Sequence, residues 1–280
     1  MTDFRLIYIY TYINGRDKKM IDMHCHILPG VDDGAKNLEE SLEMARIAQK
    51  EGIKKMINTS HYNPNFDYIM GERLVDNLNK LNDKLKEENI DIEVLIGNEL
   101  YYSDDLLEDM DKKEFYSLNN SKYILLEFSP TMFPKNLSEV VYELKIRGYI
   151  PILAHAERYK EVQENPKLIK DIIEEGALIQ VNASSVLGKG PSSSNKTCEM
   201  FLRHNKVHFI ATDAHGCDRR RPLMKEAYKY ISNTYGEVRA DRLFLKNQNS
   251  VINNEDIEIC EAEYEEIPKK GLFSKLFRKK

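Results

Sequence analysis

Several features that would place this 280-residue chain in a special class are scarce or missing. It has no apolar run close to the roughly 18–20 residues that cross a bilayer, so no membrane span is predicted. Only four cysteines occur, none in a C-x-x-C pair, which is typical of free thiols in a reducing cytoplasm. The 46 acidic residues outnumber the 41 basic ones, and the net charge of −5 argues against a nucleic-acid-binding protein.

Three catalytic or nucleotide-binding signatures are also missing. Cys198 and Arg203 are separated by four residues, so they do not form the C-x5-R loop of thiol phosphatases. The glycine-rich stretch 188–192 does not fit G-x-x-x-x-G-K-[ST], and no G-x-S-x-G nucleophile elbow occurs. The chemistry must therefore be sought among other residue types.

The chain divides into a short N-terminal segment, a long domain at 20–254 and a charged tail at 255–280. Met20 opens a well-formed apolar strand, and Gly15-Arg16 ahead of it can be encoded by a purine-rich ribosome-binding signal. We therefore hypothesise that translation starts at Met20 and that residues 1–19 are an upstream extension.

The charge of the C-terminal tail changes sign along its length. Residues 255–266 carry seven acidic side chains, whereas residues 269–280 carry six basic ones together with two leucines and two phenylalanines. Two interpretations are open: a solvated tail, or a weak docking patch for an anionic membrane surface.

Seven short apolar runs recur along the domain, and most are followed by turn residues and an amphipathic helical pattern. This alternation predicts a parallel sheet, and seven such units in about 240 residues favour a (β/α) barrel over an open sheet. The predicted strands are Ile21–His26, Lys55–His61, Glu93–Glu99, Tyr123–Phe128, Ile150–His155, Leu178–Asn182 and Val207–Asp213.

Five of the seven histidines lie at or just beyond the carboxyl end of a predicted strand, and three carboxylates follow the same register. In a parallel barrel these ends share one rim, where active sites are built. So many ionisable groups would be costly to bury unless metal ions neutralised them. The residues are His24, His26, His61, His155 and His215, with Glu99, Glu127 and Asp213.

The first strand carries the clearest metal-binding pattern. His24 and His26 alternate, so their imidazoles lie on one side of the strand, about 6.5 Å apart, and can chelate one ion. The whole donor set exceeds the needs of one ion, which predicts two or three. Imidazole and carboxylate without thiolate suit manganese, iron or zinc. Such a site favours hydrolysis by metal-bound water, especially of a phosphate ester.

Arginines follow two of the metal-bearing strands. Arg158 comes three residues after His155, and three consecutive arginines at 219–221 come within six residues of His215. Guanidinium groups clamp phosphate with two parallel hydrogen bonds, so Arg158 and Arg220 are the candidates for this role. Surface ion pairing is the alternative interpretation.

The motifs MIDMHCHILPGVDDG, TSH, GNELYY, YILLEFS, PILAHAERY and ATDAH, in this order and spacing, resemble the polymerase-and-histidinol-phosphatase (PHP) metal-dependent hydrolases. The resemblance is closest to the bacterial tyrosine-protein phosphatases of capsular and exopolysaccharide gene clusters, and it covers roughly Met20 to Asn254. It implies a distorted, TIM-like (β/α)7 barrel of parallel strands that holds three metal ions, with manganese preferred.

Carried over motif by motif, the resemblance implies nine metal ligands. Of the two adjacent aspartates in VDDG, the second, Asp33, matches the ligand. Arg158 and Arg220 match the phosphate-binding arginines. The first ion would be held by His24, His26, Glu99 and Asp213, the second by Glu99, Glu127 and His155, and the third by Asp33, His61 and His215.

The resemblance also implies a cytoplasmic enzyme that hydrolyses phosphotyrosine, chiefly on the Tyr-rich tail of a membrane-associated tyrosine autokinase in capsule or exopolysaccharide production. The basic segment 269–280 would then hold the enzyme near the inner face of the membrane. The metal site alone leaves two rivals open: a small-molecule phosphoesterase, such as one acting on histidinol phosphate, and a non-catalytic metal-bound regulator. Whether the chain forms a homo-oligomer is also left open.

Overall fold

The computed structural model describes residues 18–112, 114–129 and 133–257. Most of the N-terminal extension and the basic segment 269–280 lie outside these residues, so the predictions about them stay predictions. The strands of the described part are β1 Met20–Cys25, β2 Ile53–Asn58, β3 Ser60–Tyr62, β4 Glu93–Leu95, β5 Asn98–Tyr101, β6 Tyr123–Glu127, β7 Ile150–Leu153, β8 Leu178–Asn182 and β9 Phe209–Ala211.

Helices follow most of the strands. Within the ranges given above, no helix has both the length and the apolar character needed to cross a bilayer. The helices are α1 Leu38–Glu51, α2 Glu72–Glu87, α3 Leu106–Asp111, α4 Leu137–Ile146, α5 Lys160–Glu164, α6 Leu168–Glu174, α7 Ala183–Val186, α8 Ser192–Arg203, α9 Lys225–Tyr235, α10 Glu237–Asp241 and α11 Asn247–Ile252.

The first helix shows how the sequence sets these boundaries. The side chain of Asn37 accepts a hydrogen bond from the Glu40 N–H and so caps the amino end of α1. The helix stops at Gly52, whose φ of 87° lies in the left-handed region that glycine adopts without strain. Gly52 leads directly into β2, so the cap also sets where the next strand starts.

Every strand pair is parallel. The strand orders are β1-β2-β4 in one sheet and β3-β5-β6-β7-β8-β9 in the other. Only Thr59 separates β2 from β3, and only Ile96 and Gly97 separate β4 from β5, so each sheet continues into the other. The seven predicted strands are therefore confirmed, and two of them are broken near the middle.

The last strand returns to the first at the carboxyl end. The Asp213 N–H donates to the His24 carbonyl over 2.8 Å, and the His26 N–H donates to the Ala214 carbonyl over 2.8 Å. A parallel bridge between Cys25 and Ala214 accompanies these bonds. The ring thus closes at the rim where the candidate site residues lie, which confirms the predicted distorted seven-stranded barrel.

Two apolar clusters hold the barrel together. The larger one packs the helices against the outside of the strands, and it includes the four-leucine stripe of α2. The smaller one draws members from six strands, for example Leu125, Ile152 and Phe209, so it fills the space that the strands enclose. Leu118 and Val251 belong to the same cluster. The interior is therefore packed, and the candidate site residues lie at its carboxyl rim.

Candidate metal centre

The carboxyl ends of the strands bring all nine predicted donor residues to one rim. Five of them are almost completely buried, Glu127, His61 and His215 are partly buried, and Asp33 is exposed. The buried donors are His24, His26, Glu99, His155 and Asp213. This burial places a set of ionisable groups in a region of low dielectric constant, where they require compensation.

Glu99 lies at the centre of the group, with four imidazoles around its carboxylate. Its Oε1 is 3.3 Å from His24 Nε2 and 3.1 Å from His155 Nε2. Its Oε2 is 3.3 Å from His26 Nε2 and 3.3 Å from His61 Nδ1. A carboxylate so placed can bridge two cations.

The other three carboxylates surround this centre. Glu127 lies 3.3 Å from His155 Nε2 and 3.5 Å from His61 Nδ1, and Asp33 Oδ1 lies 3.3 Å from His61 Nε2. Asp213 Oδ1 is 3.4 Å from His24 Nε2. Three groups have donor atoms within 4.8 Å of one another: His26, Asp33, His61 and His215; His24, His26 and Asp213; and His61, Glu99 and Glu127.

These groups overlap with the three implied ligand sets without matching them fully. His26 is close enough to join the set of Asp33, His61 and His215, and His61 also faces Glu99 and Glu127 through Nδ1. His155 is within 3.3 Å of Glu127 and 3.1 Å of Glu99, as the second implied set requires. The nine residues are thus brought together, and His26 and His61 each lie within reach of more than one of the implied ligand sets.

Three of the imidazoles have their Nδ1 atoms held by oxygen acceptors. His26 Nδ1 lies 2.7 Å from Asp32 Oδ2, His24 Nδ1 lies 3.1 Å from Gln180 Oε1, and His215 Nδ1 lies 3.1 Å from the Asp213 carbonyl. Each acceptor favours the tautomer with the proton on Nδ1. The Nε2 lone pair is then free for a cation, which is the usual arrangement of a metal-bound histidine.

The loop below His26 requires a glycine at position 34. A Cβ on Gly34 would lie 2.3 Å from the His26 carbonyl oxygen and 2.5 Å from the His26 Cβ. The Gly34 N–H donates to Asp32 Oδ1 over 3.0 Å, which helps to hold the carboxylate that faces His26. The DDG sequence thus places one aspartate beneath the imidazole and the other, Asp33, at the rim.

The electrostatics of the group are those of a cation site. Burial opposes ionisation of Glu99, but His24 and His155 outweigh it and hold the pKa of the carboxyl well below its usual value. Burial likewise lowers the pKa of His155, yet Glu127 and Glu99 outweigh it and raise that pKa to about 10. Ionised carboxylates thus hold protons on buried imidazoles, and divalent cations can replace those protons.

A second observation also indicates that these residues suit a divalent cation. Glu99 Oε1 is buried and accepts no well-directed hydrogen bond from the described residues, although two imidazole Nε2 atoms lie near it. A buried carboxylate oxygen without a donor costs free energy unless a cation satisfies it. Nitrogen and oxygen donors without thiolate suit manganese, iron and zinc alike.

Both predicted arginines reach the same carboxylate. Arg158 Nη1 lies 3.0 Å from Asp213 Oδ2, and Arg220 Nη2 lies 2.5 Å from Asp213 Oδ1. Neither Arg219 nor Arg221 has an ion-pair partner in the described part of the chain. Of the three consecutive arginines, it is therefore Arg220 that is directed at the donor group.

Three residues of the site have left-handed backbone conformations. The φ angles are 32° for His155, 54° for Asp213 and 48° for Arg220. Each such residue other than glycine costs roughly 1–2 kcal/mol, so the surrounding structure must stabilise it. The strain lies in the residues that aim an imidazole, a carboxylate and a guanidinium at one place.

Sequence reasoning missed several supporting residues. Gln180 and Asn182 alternate at the end of β8, and Asn182 Nδ2 donates to Asp213 Oδ2 over 2.9 Å. Two polar residues in the otherwise apolar run LIQVN were the available signal. Near His61, the Tyr68 ring stacks on the imidazole with 5.8 Å between the ring centroids. The ring of the exposed Phe66 stacks on that of Tyr68 with a centroid distance of 5.3 Å.

A closed parallel barrel with imidazole and carboxylate donors gathered at its carboxyl rim places the chain in the class of barrel-fold metal-dependent hydrolases. The family model described as "Capsular polysaccharide synthesis, CpsB/CapC" matches residues 20–253. The chain belongs to this CpsB/CapC family.

Curated relatives and a solved structure agree with this assignment. The tyrosine-protein phosphatase CpsB of Streptococcus agalactiae serotype III is 34% identical over 240 residues, covering 84% of this chain and 99% of the relative. The tyrosine-protein phosphatase YwqE of Bacillus subtilis is 34% identical over 238 residues, covering 85% and 93%. A chain from the crystal structures of B. subtilis YwqE and Streptococcus pneumoniae CpsB, "unique metal-dependent tyrosine phosphatases", is 35% identical with a TM-score of 0.80, covering 85% of this chain and 96% of that one.

Proposed function

We propose that this chain is a metal-dependent protein-tyrosine phosphatase. The observation that carries the proposal is the position of Glu99 among four imidazoles, with three more carboxylates and two arginines around it. The relatives that it matches over nearly their whole length are named tyrosine-protein phosphatases, which supports the same reaction here.

Nine residues would hold three divalent ions, and manganese is the metal that we propose for them. When bound, such ions supply a water-derived nucleophile at neutral pH and neutralise charge on the phosphoryl oxygens. We assign His24, His26, Glu99 and Asp213 to the first ion, Glu99, Glu127 and His155 to the second, and Asp33, His61 and His215 to the third.

Arg158 and Arg220 are the proposed phosphate-binding residues. Both guanidinium groups are partly exposed and both lie against Asp213, at the boundary between the donor group and solvent. From there they can donate to phosphoryl oxygens and stabilise the charge that develops there during transfer. The phenol of tyrosine has a pKa near 10, so its phenolate leaves more readily than an alkoxide and depends less on a proton donor.

The proposed biological substrate is the Tyr-rich tail of a membrane-associated tyrosine autokinase that controls capsule or exopolysaccharide synthesis. Membership of a capsular polysaccharide synthesis family supports this choice. A cytoplasmic enzyme, held at the inner face of the membrane by the basic segment 269–280, would meet such a kinase. Removing residues 269–280 and measuring co-sedimentation with anionic vesicles tests the last step: unchanged binding would reject it.

Elemental analysis of the purified protein, combined with chelation and manganese add-back, tests the proposed function. We expect about three divalent ions per chain, loss of phosphotyrosine-peptide hydrolysis after chelation, and recovery with manganese. A higher kcat/KM for histidinol phosphate than for the peptide would favour the small-molecule phosphoesterase. A fully metal-loaded protein without activity on either substrate would favour the non-catalytic regulator.

A further inference from the structure

A cavity of about 450 Å³ opens beside the candidate metal centre. Asp213, Arg158 and Arg220 form its inner wall, so a phosphate held by the two arginines would lie at its entrance from the metal side. The cavity extends from there towards the loops that follow α7 and β9. Its volume lies in the range of pockets that hold molecules far larger than phosphate.

The outer wall of the cavity adds positive charge. Arg221 and Lys189 both line it, opposed by the single carboxylate of Asp218. Arg221 is exposed and has no ion-pair partner among the described residues, whereas Lys189 Nζ lies 2.7 Å from Glu226 Oε2. Both members of the Lys189 pair are more than half exposed, and an exposed pair of this kind is weak enough to exchange partners.

Apolar side chains also line the cavity. Leu187, Pro191 and Leu223 are among them, and Leu223 is 36% exposed. A cavity lined by two candidate phosphate-binding arginines, by apolar side chains and by two further cations matches a phosphorylated aromatic residue followed by an acidic side chain. A small phosphomonoester would leave the outer region unused.

We propose that this cavity binds the polypeptide next to the phosphorylated tyrosine and selects, through Arg221 and Lys189, for an acidic side chain there. The inference rests on the proposed phosphatase function and adds a substrate preference to it. Charge complementarity carries it: the outer cavity holds two cations that the metal centre does not use.

The test compares two peptides that differ only beside the aromatic residue. Each carries a non-hydrolysable phosphotyrosine mimic and a fluorescent label, flanked by glutamate in one and by glutamine in the other. Fluorescence anisotropy with the manganese-loaded full chain gives both dissociation constants for the native protein, Arg221→Gln, Lys189→Gln and the double variant. Arg219→Gln is the matched control, because Arg219 is an exposed neighbour that does not line the cavity.

We expect the native chain to prefer the glutamate peptide about fivefold, as one or two partly exposed ion pairs would provide. Arg221→Gln should reduce this preference to about twofold, the double variant should abolish it, and Arg219→Gln should keep it. Equal affinity of the native chain for both peptides, or an equal loss in Arg219→Gln, would overturn the proposal. If the native chain binds neither peptide better than its unphosphorylated counterpart, the proposed function itself fails.

Discussion

Gln180 Nε2 donates a hydrogen bond to Asn182 Oδ1 over 2.9 Å, and this bond links two donors of the candidate metal centre. Gln180 Oε1 accepts from the His155 N–H over 2.7 Å and lies 3.1 Å from His24 Nδ1. Asn182 donates onward to Asp213. A chain of amides on β8 thus orients a carboxylate and an imidazole that come from opposite ends of the sequence.

Removing the Gln180 amide should weaken metal binding without removing a ligand. In Gln180→Ala, His24 Nδ1 loses its acceptor and the imidazole its fixed orientation, so we expect the manganese dissociation constant to rise about 10- to 100-fold. Isothermal titration calorimetry measures it. Gln49→Ala, on the exposed surface of α1, is the control and should bind as the native chain does. An unchanged constant in Gln180→Ala would contradict the orienting role.

Removing a donor should abolish hydrolysis and leave the fold largely intact. His155→Ala and Asp213→Ala each delete a buried group that faces other donors, and we expect phosphotyrosine-peptide hydrolysis to fall at least about 1,000-fold, roughly 4 kcal/mol of activation free energy. Circular dichroism should show a native secondary structure. The exposed His204 provides the matched control, His204→Ala, which should retain activity. Near-normal turnover in either donor variant would refute the metal assignment.

Arg158 should contribute mainly to transition-state stabilisation. We expect Arg158→Ala to lower kcat/KM by about 30- to 150-fold, equivalent to about 2–3 kcal/mol, because a charged donor to the phosphoryl oxygens is lost. Arg158→Lys should recover part of the loss, since it keeps the charge but not the planar fork. Arg147→Ala removes an exposed arginine paired with Glu143 and should have no such effect. A loss below about threefold in Arg158→Ala would argue for a surface ion pair only.

Thiol chemistry should play no part. Cys198 is completely buried in α8, and burial raises the pKa of its thiol well above the usual value, so the nucleophilic thiolate is disfavoured. We expect Cys198→Ala to keep kcat/KM within about twofold, with a modest loss of thermal stability from the small cavity. If Cys198→Ala lost activity while it kept its native secondary structure, the result would support a thiol mechanism instead.

His208 should make the stability of the protein depend on pH. Its Nδ1 accepts from the buried Ile179 N–H over 3.0 Å, and burial, aided by Arg242 and Lys206, lowers its pKa to about 3. An unfolded histidine titrates near 6.5, so between these values the unfolded state binds a proton that the native state does not. Stability from this group is complete above about pH 6.5 and falls by up to about 1.4 kcal/mol per pH unit below it.

Urea unfolding at pH 7 and pH 5 measures this contribution. In His208→Asn the amide oxygen can accept from Ile179, and we expect the loss of unfolding free energy between the two pH values to shrink by about 2 kcal/mol. His204→Asn, at an exposed position, should keep the full pH dependence. If the unfolding free energy fell by the same amount between pH 7 and pH 5 in the native chain and in His208→Asn, His208 would not be held neutral.

The strands were predictable because their signal is local. Apolar runs that end at or next to a histidine or carboxylate mark the carboxyl end of six of the strands. The structure places the eight donors found in this way together with Asp33, which only the family resemblance indicated. The breaks at Thr59 and at Ile96–Gly97 were not predicted, because Lys55–His61 and Glu93–Glu99 were each interpreted as one continuous strand. Hydropathy reports burial, whereas a bend in a buried strand depends on its neighbours.

The sequence by itself determined which functional groups form the site. They are imidazole and carboxylate groups, without thiolate, that recur at the strand ends and are followed closely by arginines. Only the tertiary structure decided that Arg220, among three consecutive arginines, faces Asp213, and that Asp32 faces the imidazole of His26. It also brought Gln180 and Asn182 to donors more than twenty residues away in the chain. The residue types can be identified directly from the sequence. The direction in which a side chain points depends on backbone angles and on packing between segments that are distant in sequence.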